Sequence, residues 1–121
     1  SKDPSKLAEA EGYFKKSLEI DPNYVEALQG MVFNIYVNGE DKAIEAIDAA
    51  RKAKKMDVFN KLLAERRAKL SKAIPYAEKI YSLNPKDLEI VSLLKGLYQT
   101  SHNDAKFQEM KAVEAALKAG K

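Results

Sequence analysis

The chain has 121 residues, with 21 Lys+Arg against 18 Asp+Glu, one His, no Cys and no Trp. A length of this order supports one hydrophobic core and excludes two independently folded domains, while the lack of cysteine excludes disulfides, thiolate metal sites and a cysteine nucleophile. The small net charge of +3 hides a division into an acidic half, residues 1–50 with a balance of −5, and a basic half, residues 51–121 with a balance of +8.

Helical periodicity runs along nearly the whole chain, broken at Pro4, Pro22, Gly39, Pro75, Pro85 and the polar Ser101-His102-Asn103-Asp104 cluster, which predicts an all-α fold of about six helices. Asp3 is placed to cap a first helix with Pro4 in its first turn, and Leu7, Ala10, Phe14 and Leu18 then share one face. Asp21-Pro22-Asn23 ends it. A second helix over about 24–37 sets Leu28, Met31, Val32 and Ile35 on one side, with Phe33, Tyr36 and Val37 widening the apolar surface almost all round, and Asn38-Gly39 stops it. A third helix, roughly 41–55, carries Ala43, Ile44, Ile47 and Ala50 inward and ends in basic residues that suit the negative end of its dipole.

Phe59, Leu63, Arg66, Leu70, Ala73, Ala77 and Ile80 then come in steps of four and three without a change of phase. This predicts one long helix over about 57–83, bent near residue 71 by Pro75, which removes a backbone hydrogen bond; the alternative is that Pro75 marks the first turn of a separate helix. A fifth helix is predicted over about 87–100, with Val91, Leu94 and Tyr98, and a sixth over about 103–119 with Gly120 as its stop. No apolar stretch approaches the roughly 20 residues that cross a bilayer, the Ser1-Lys2-Asp3-Pro4 start is not a signal peptide, and the sequence leaves cytoplasm and periplasm equally open.

The chain repeats itself at an offset of 63 residues. Lys6 pairs with Lys69, Leu7 with Leu70, Ala10 with Ala73, Tyr13 with Tyr76, Lys16 with Lys79, Pro22 with Pro85 and Glu26 with Glu89, so the first helix, turn and second helix recur. These residues resemble the tetratricopeptide repeat, a helix–turn–helix unit of about 34 residues with small and aromatic residues on its second helix and a proline in the next turn. Ala10, Phe14, Ser17 and Pro22 match that second helix and turn. Leu28, Met31, Val32 and Ile35 match a first helix, Ala43, Ile47 and Ala50 its second, and Ala73, Ala77, Ile80 and Pro85 the next second helix. The offset is five residues short of two standard repeats, there is no Trp, and Val32 and Lys95 stand at the glycine position. The stretch from Ala73 to Lys111 also resembles the C-terminal repeats of bacterial tetratricopeptide proteins of the Bacteroidetes type. The resemblance implies one domain over 1–121, starting in mid-repeat as a fragment of a longer solenoid.

Candidates for chemistry are few. His102 lies in a polar turn with only Asp104 beside it, too few groups for a metal; no glycine-rich phosphate loop is present. A non-catalytic chain without metal or cofactor is expected. The resemblance implies a concave groove for a protein or peptide, lined by Glu26, Gln29, Phe33, Tyr36 and Val37 and, in the later copy, by Glu89, Ser92, Gly96, Gln99 and Thr100. There Phe33 and Tyr36 are expected to bury apolar partner groups, while Gln29, Asn34 and Gln99 satisfy backbone groups. The alternative surface is the basic run Arg51, Lys52, Lys54, Lys55, Lys61, Arg66, Arg67, Lys69 and Lys72, a balance of +7 over residues 51–72, suited to nucleic acid or an acidic protein. Were 57–83 a straight rod of about 40 Å, the two halves could not fold back on each other, and a domain-swapped homodimer would result.

Overall fold

The structure, a computed structural model, describes residues 3–120. It is all-helical, with seven helices among the described residues: α1 (Pro4–Ile20), α2 (Val25–Val37), α3 (Glu40–Lys52), α4 (Met56–Ser71), α5 (Ile74–Leu83), α6 (Leu88–Thr100) and α7 (Asp104–Gly120). None of them is long and apolar enough to cross a membrane.

The seventh helix arises because the stretch expected as one bent helix over 57–83 is divided into α4 and α5, with Pro75 in the first turn of α5. Pro75 has no N–H for the carbonyl of Ser71, and the chain closes the gap with two tight i→i+3 bonds, Lys72 N–H to Lys69 C=O and Ala73 N–H to Leu70 C=O. Lys72 and Ala73 stay in the right-handed helical region, so α4 and α5 are two stretches of one interrupted helix. Both stretches pack within the same chain, α5 on α2 and α6 and α4 on α3. The straight rod that would force exchange between two chains is therefore not formed.

Helix ends obey local chemistry. Asp3 accepts from the Ser5 N–H at the start of α1, and Asp87 accepts from the Glu89 N–H at the start of α6. Gly39, at φ 71°, supplies the left-handed residue between α2 and α3. Two non-glycine residues share that conformation for one reason. Lys54 (φ 59°) and His102 (φ 61°) each come just after a helix end at which the next N–H reaches back across the last turn, Lys55 to Ala50 C=O and Asn103 to Tyr98 C=O.

The repeat is explicit in the helix bounds: α2 and α6 start at Val25 and Leu88 and end at Val37 and Thr100, and α1 and α5 end at Ile20 and Leu83, each pair 63 residues apart. Packing runs α1 on α2, α2 on α5, α5 on α6 and α6 on α7. This corrects the expected role of α3, which packs chiefly on α4 and only marginally on α2, leaving α5 as the helix seated on α2. Side-chain size explains it. Apart from Ile44 and Ile47, the apolar residues of α3 are all alanines, whereas α5 brings Ile74, Tyr76, Ile80 and Tyr81, and α7, which does pack on its preceding helix, brings Phe107, Met110, Val113 and Leu117. Ile44, expected inward, is 46% exposed.

The molecule is thus a stack of five helices with the α3–α4 hairpin standing off it. The core comes from α2, α5, α6 and α7, joined by Leu70 from the last turn of α4 and Ala73 at the bend; Leu70, Ala73, Ala77, Val91, Leu94 and Leu97 are almost wholly buried, and no α3 side chain takes part. Glu40, in the first turn of α3, clamps the root of the hairpin. Its carboxylate accepts from Arg66 Nε and Nη2, the latter at 2.6 Å, and from Lys69 Nζ at 3.0 Å, while Lys69 Nζ also donates to the Asn38 carbonyl.

Candidate functional site

α2 must bury one face on α1 and another on α5, and its remaining face determines the site. Toward α1, Asn34 is buried and donates from Nδ2 to the Leu7 carbonyl at 2.9 Å, and the Phe14 ring lies over Gly30, where a Cβ would fall 2.3 Å from Phe14 Cζ. Leu28 and Val32 enter the core. The third side of α2 holds Gln29, Phe33 and Tyr36 beside the first turns of α6.

Between them lies a groove of ≈ 380 Å³. Val32, Ile80 and Ile90, all buried, form its floor, Phe33, Tyr36 and Leu93 its apolar walls, and Gln29, Asp87 and Glu89 its polar rim. Phe33 is 54% exposed, a large apolar surface left in water by a helix that is apolar nearly all round. No lysine or arginine lines the groove.

Of the residues expected to line it, Gln29, Phe33, Tyr36 and Glu89 come together and the rest do not. Glu26 is exposed on the first turn of α2, away from the lining; Val37 is half-buried at its end. Ser92 faces α7, donating to Glu114 at 2.5 Å, and Gly96, Gln99 and Thr100 lie further along α6, outside the groove. Asn34, expected to serve a partner's backbone, is used up within the chain by its bond to Leu7. The periodicity assigned Val32 and Ile80 to the core, and they are the floor as well. Leu93 and Ile90 carry no repeat signal, because their partners at the 63-residue offset are Gly30 and Ala27, positions that are small in the first copy.

The α6 wall is braced from two sides. Tyr98 Oη donates to the Glu78 carboxylate, tying α6 to α5; burial and that neighbouring carboxylate push its phenol well above the ordinary range. Behind α6, Glu114 is buried against it and accepts from Lys95 Nζ at 2.6 Å as well as from Ser92. The Lys95 ammonium first, then the Ser92 hydroxyl, hold the Glu114 carboxyl below its usual value.

The basic run does not form a continuous cationic face. Arg66 and Lys69 are committed to Glu40, and Arg51 and Lys52 to Asp48. Lys54 and Lys55 stand at the hairpin tip, Lys61 on the outer side of α4, and Lys72 at the bend, all exposed, with Arg67 half-buried. His102 is exposed in its capping turn, and no group of three or more His, Asp or Glu among the described residues could hold a metal ion.

No family model matches the chain, no curated protein is significantly similar to it, and no solved structure matches it.

Proposed function

We propose that the chain is a non-catalytic protein-interaction module, a tetratricopeptide-like helical repeat carrying an inserted hairpin, and that it binds a peptide in the α2–α6 groove. One observation carries this reading: Phe33, more than half exposed, stands with Tyr36 over a floor of buried aliphatic side chains, on a rim whose only charges are carboxylates. An aromatic anchor beside a concave apolar floor is the arrangement in which partner side chains gain most from burial. The carboxylates of Asp87 and Glu89 favour a ligand that sets Lys or Arg beside its apolar residue. The fifteen-residue spacing from turn proline to helix end in each copy, Pro22 to Val37 and Pro85 to Thr100, supports the repeat reading. The ion pairs that occupy Arg51, Lys52, Arg66 and Lys69 weigh against phosphate tracking along residues 51–72.

Selection of peptides from a displayed random library, followed by calorimetric titration of the winners, tests the groove. Winners are expected to share an apolar residue flanked by Lys or Arg and to lose about tenfold or more in affinity against Phe33→Ala/Tyr36→Ala, with the helical circular dichroism signal intact. Peptides that bind the double variant as tightly as the parent would refute it.

A further inference from the structure

The tip of the α3–α4 hairpin carries the complement of the groove. The chain leaves α3 through Lys54, in the left-handed conformation, and Lys55, and the first turn of α4 then sets out Met56 and Val58, 50% and 46% exposed. Two apolar side chains thus face solvent at one end of the molecule, preceded by the ammonium groups of Lys54 and Lys55 and separated by the single carboxylate of Asp57, so that the tip is net cationic, while an apolar floor flanked by carboxylates faces solvent in the groove. Methionine, unbranched and polarisable, fills irregular apolar recesses well.

The tip cannot reach its own groove. From Leu70 in the core to Met56 the helix climbs 14 residues, about 21 Å at 1.5 Å per residue. α3 packed along α4 and the Glu40 clamp at the root hold that arm extended.

We propose that the hairpin tip of one copy seats in the α2–α6 groove of a second copy, with Met56 on the apolar floor and Lys54 and Lys55 facing Asp87 and Glu89. This rests on the groove reading and names the groove's occupant. Tip and groove are different patches, so the contact is heterologous: each pair retains one free tip and one free groove, and association continues past the dimer unless the rotation closes a ring. A hairpin tip covers little area, which makes the contact weak and concentration-dependent; opposed charges make it weaken with added salt.

Sedimentation velocity of the full chain over the micromolar to millimolar range is the test. The weight-average mass of the parent is expected to rise with concentration beyond that of a dimer and to fall back as salt is added. Lys54→Glu/Lys55→Glu and, separately, Gln29→Lys/Glu89→Lys are expected to weaken association by about tenfold or more by placing like charges opposite each other, and one chain carrying all four substitutions is expected to recover it. Helical circular dichroism confirms that each variant is folded, and Met56→Ala, which changes no charge, supplies a second variant expected to weaken association. A parent that stays monomeric throughout the range overturns the proposal, as does association that survives both charge reversals. If the parent is monomeric while selected peptides still require Phe33 and Tyr36, this proposal falls and the groove reading stands; if those peptides are indifferent to Phe33 and Tyr36, the groove reading falls independently.

Discussion

The packing of Phe14 on Gly30 fixes how α2 sits on α1, and so where Phe33 and Tyr36 point on its other side. A Cβ added at Gly30 would lie 2.3, 2.4 and 2.6 Å from Cζ, Cε2 and Cε1 of Phe14. Ordinary carbon contacts need roughly 3.5–4.0 Å, so the ring end must retreat by about 1.3 Å. Overpacking of this kind costs roughly 1–3 kcal/mol, against a helix-propensity gain of about 0.8–1.0 kcal/mol for replacing an interior glycine by alanine. Gly30→Ala is therefore expected to destabilise the chain by about 1 kcal/mol. In a Phe14→Ala background the clash is gone, only the propensity gain remains, and the same substitution is expected to stabilise by about 1 kcal/mol. Urea denaturation of the four proteins, monitored by far-ultraviolet circular dichroism, closes the cycle. A coupling energy of about 2 kcal/mol is expected. Gly30→Ala stabilising both backgrounds equally would show that the ring does not occupy the Gly30 surface.

Three further outcomes are open to measurement. Glu40→Gln removes one charge from the hairpin root, and hydrogen exchange in α3 is expected to accelerate while the core helices α2 and α6 keep their protection, for a cost of about 1–2 kcal/mol. The Arg66 guanidinium, ahead of Lys69, holds the Glu40 carboxyl below its ordinary value of 4.5, so its contribution is fully present above that value and is lost as pH falls through and below it; the loss of α3 protection, measured against intrinsic exchange rates, in that acid window should be smaller in Glu40→Gln. His102→Gly places glycine in a left-handed capping position, and an increase in stability of about 0.5–1 kcal/mol is expected in thermal melts, whereas His102→Val should lower it. Asn34→Leu leaves α2 apolar but deletes the buried bond to the Leu7 carbonyl; a loss of about 1 kcal/mol is expected, measured by chemical denaturation, and no loss would mean that water replaces the amide there.

The distinction between local and tertiary information runs through particular residues. Helix ends were legible because their causes lie within a few residues: Asp3 as a cap, Gly39 as a stop, and Pro75 as the break in 57–83 stem from dihedral preference and missing or orphaned N–H groups. The 63-residue repeat was legible as letters and reappears in the bounds of α2 and α6. The all-helical class, the exposed apolar surplus on α2 and the two aromatics of the groove came with it. Only the tertiary structure decided which helix covers which. α3 carries an acceptable amphipathic stripe, yet α5 wins the place on α2 because it buries larger side chains there, and this competition between distant segments leaves no local mark. The same competition turned Asn34 inward, sent Ser92 to Glu114, brought Leu93 and Ile90 to the groove and paired part of the basic run with Glu40 and Asp48. Period and capping are set by neighbours along the chain, whereas burial is set by the water that two surfaces exclude together.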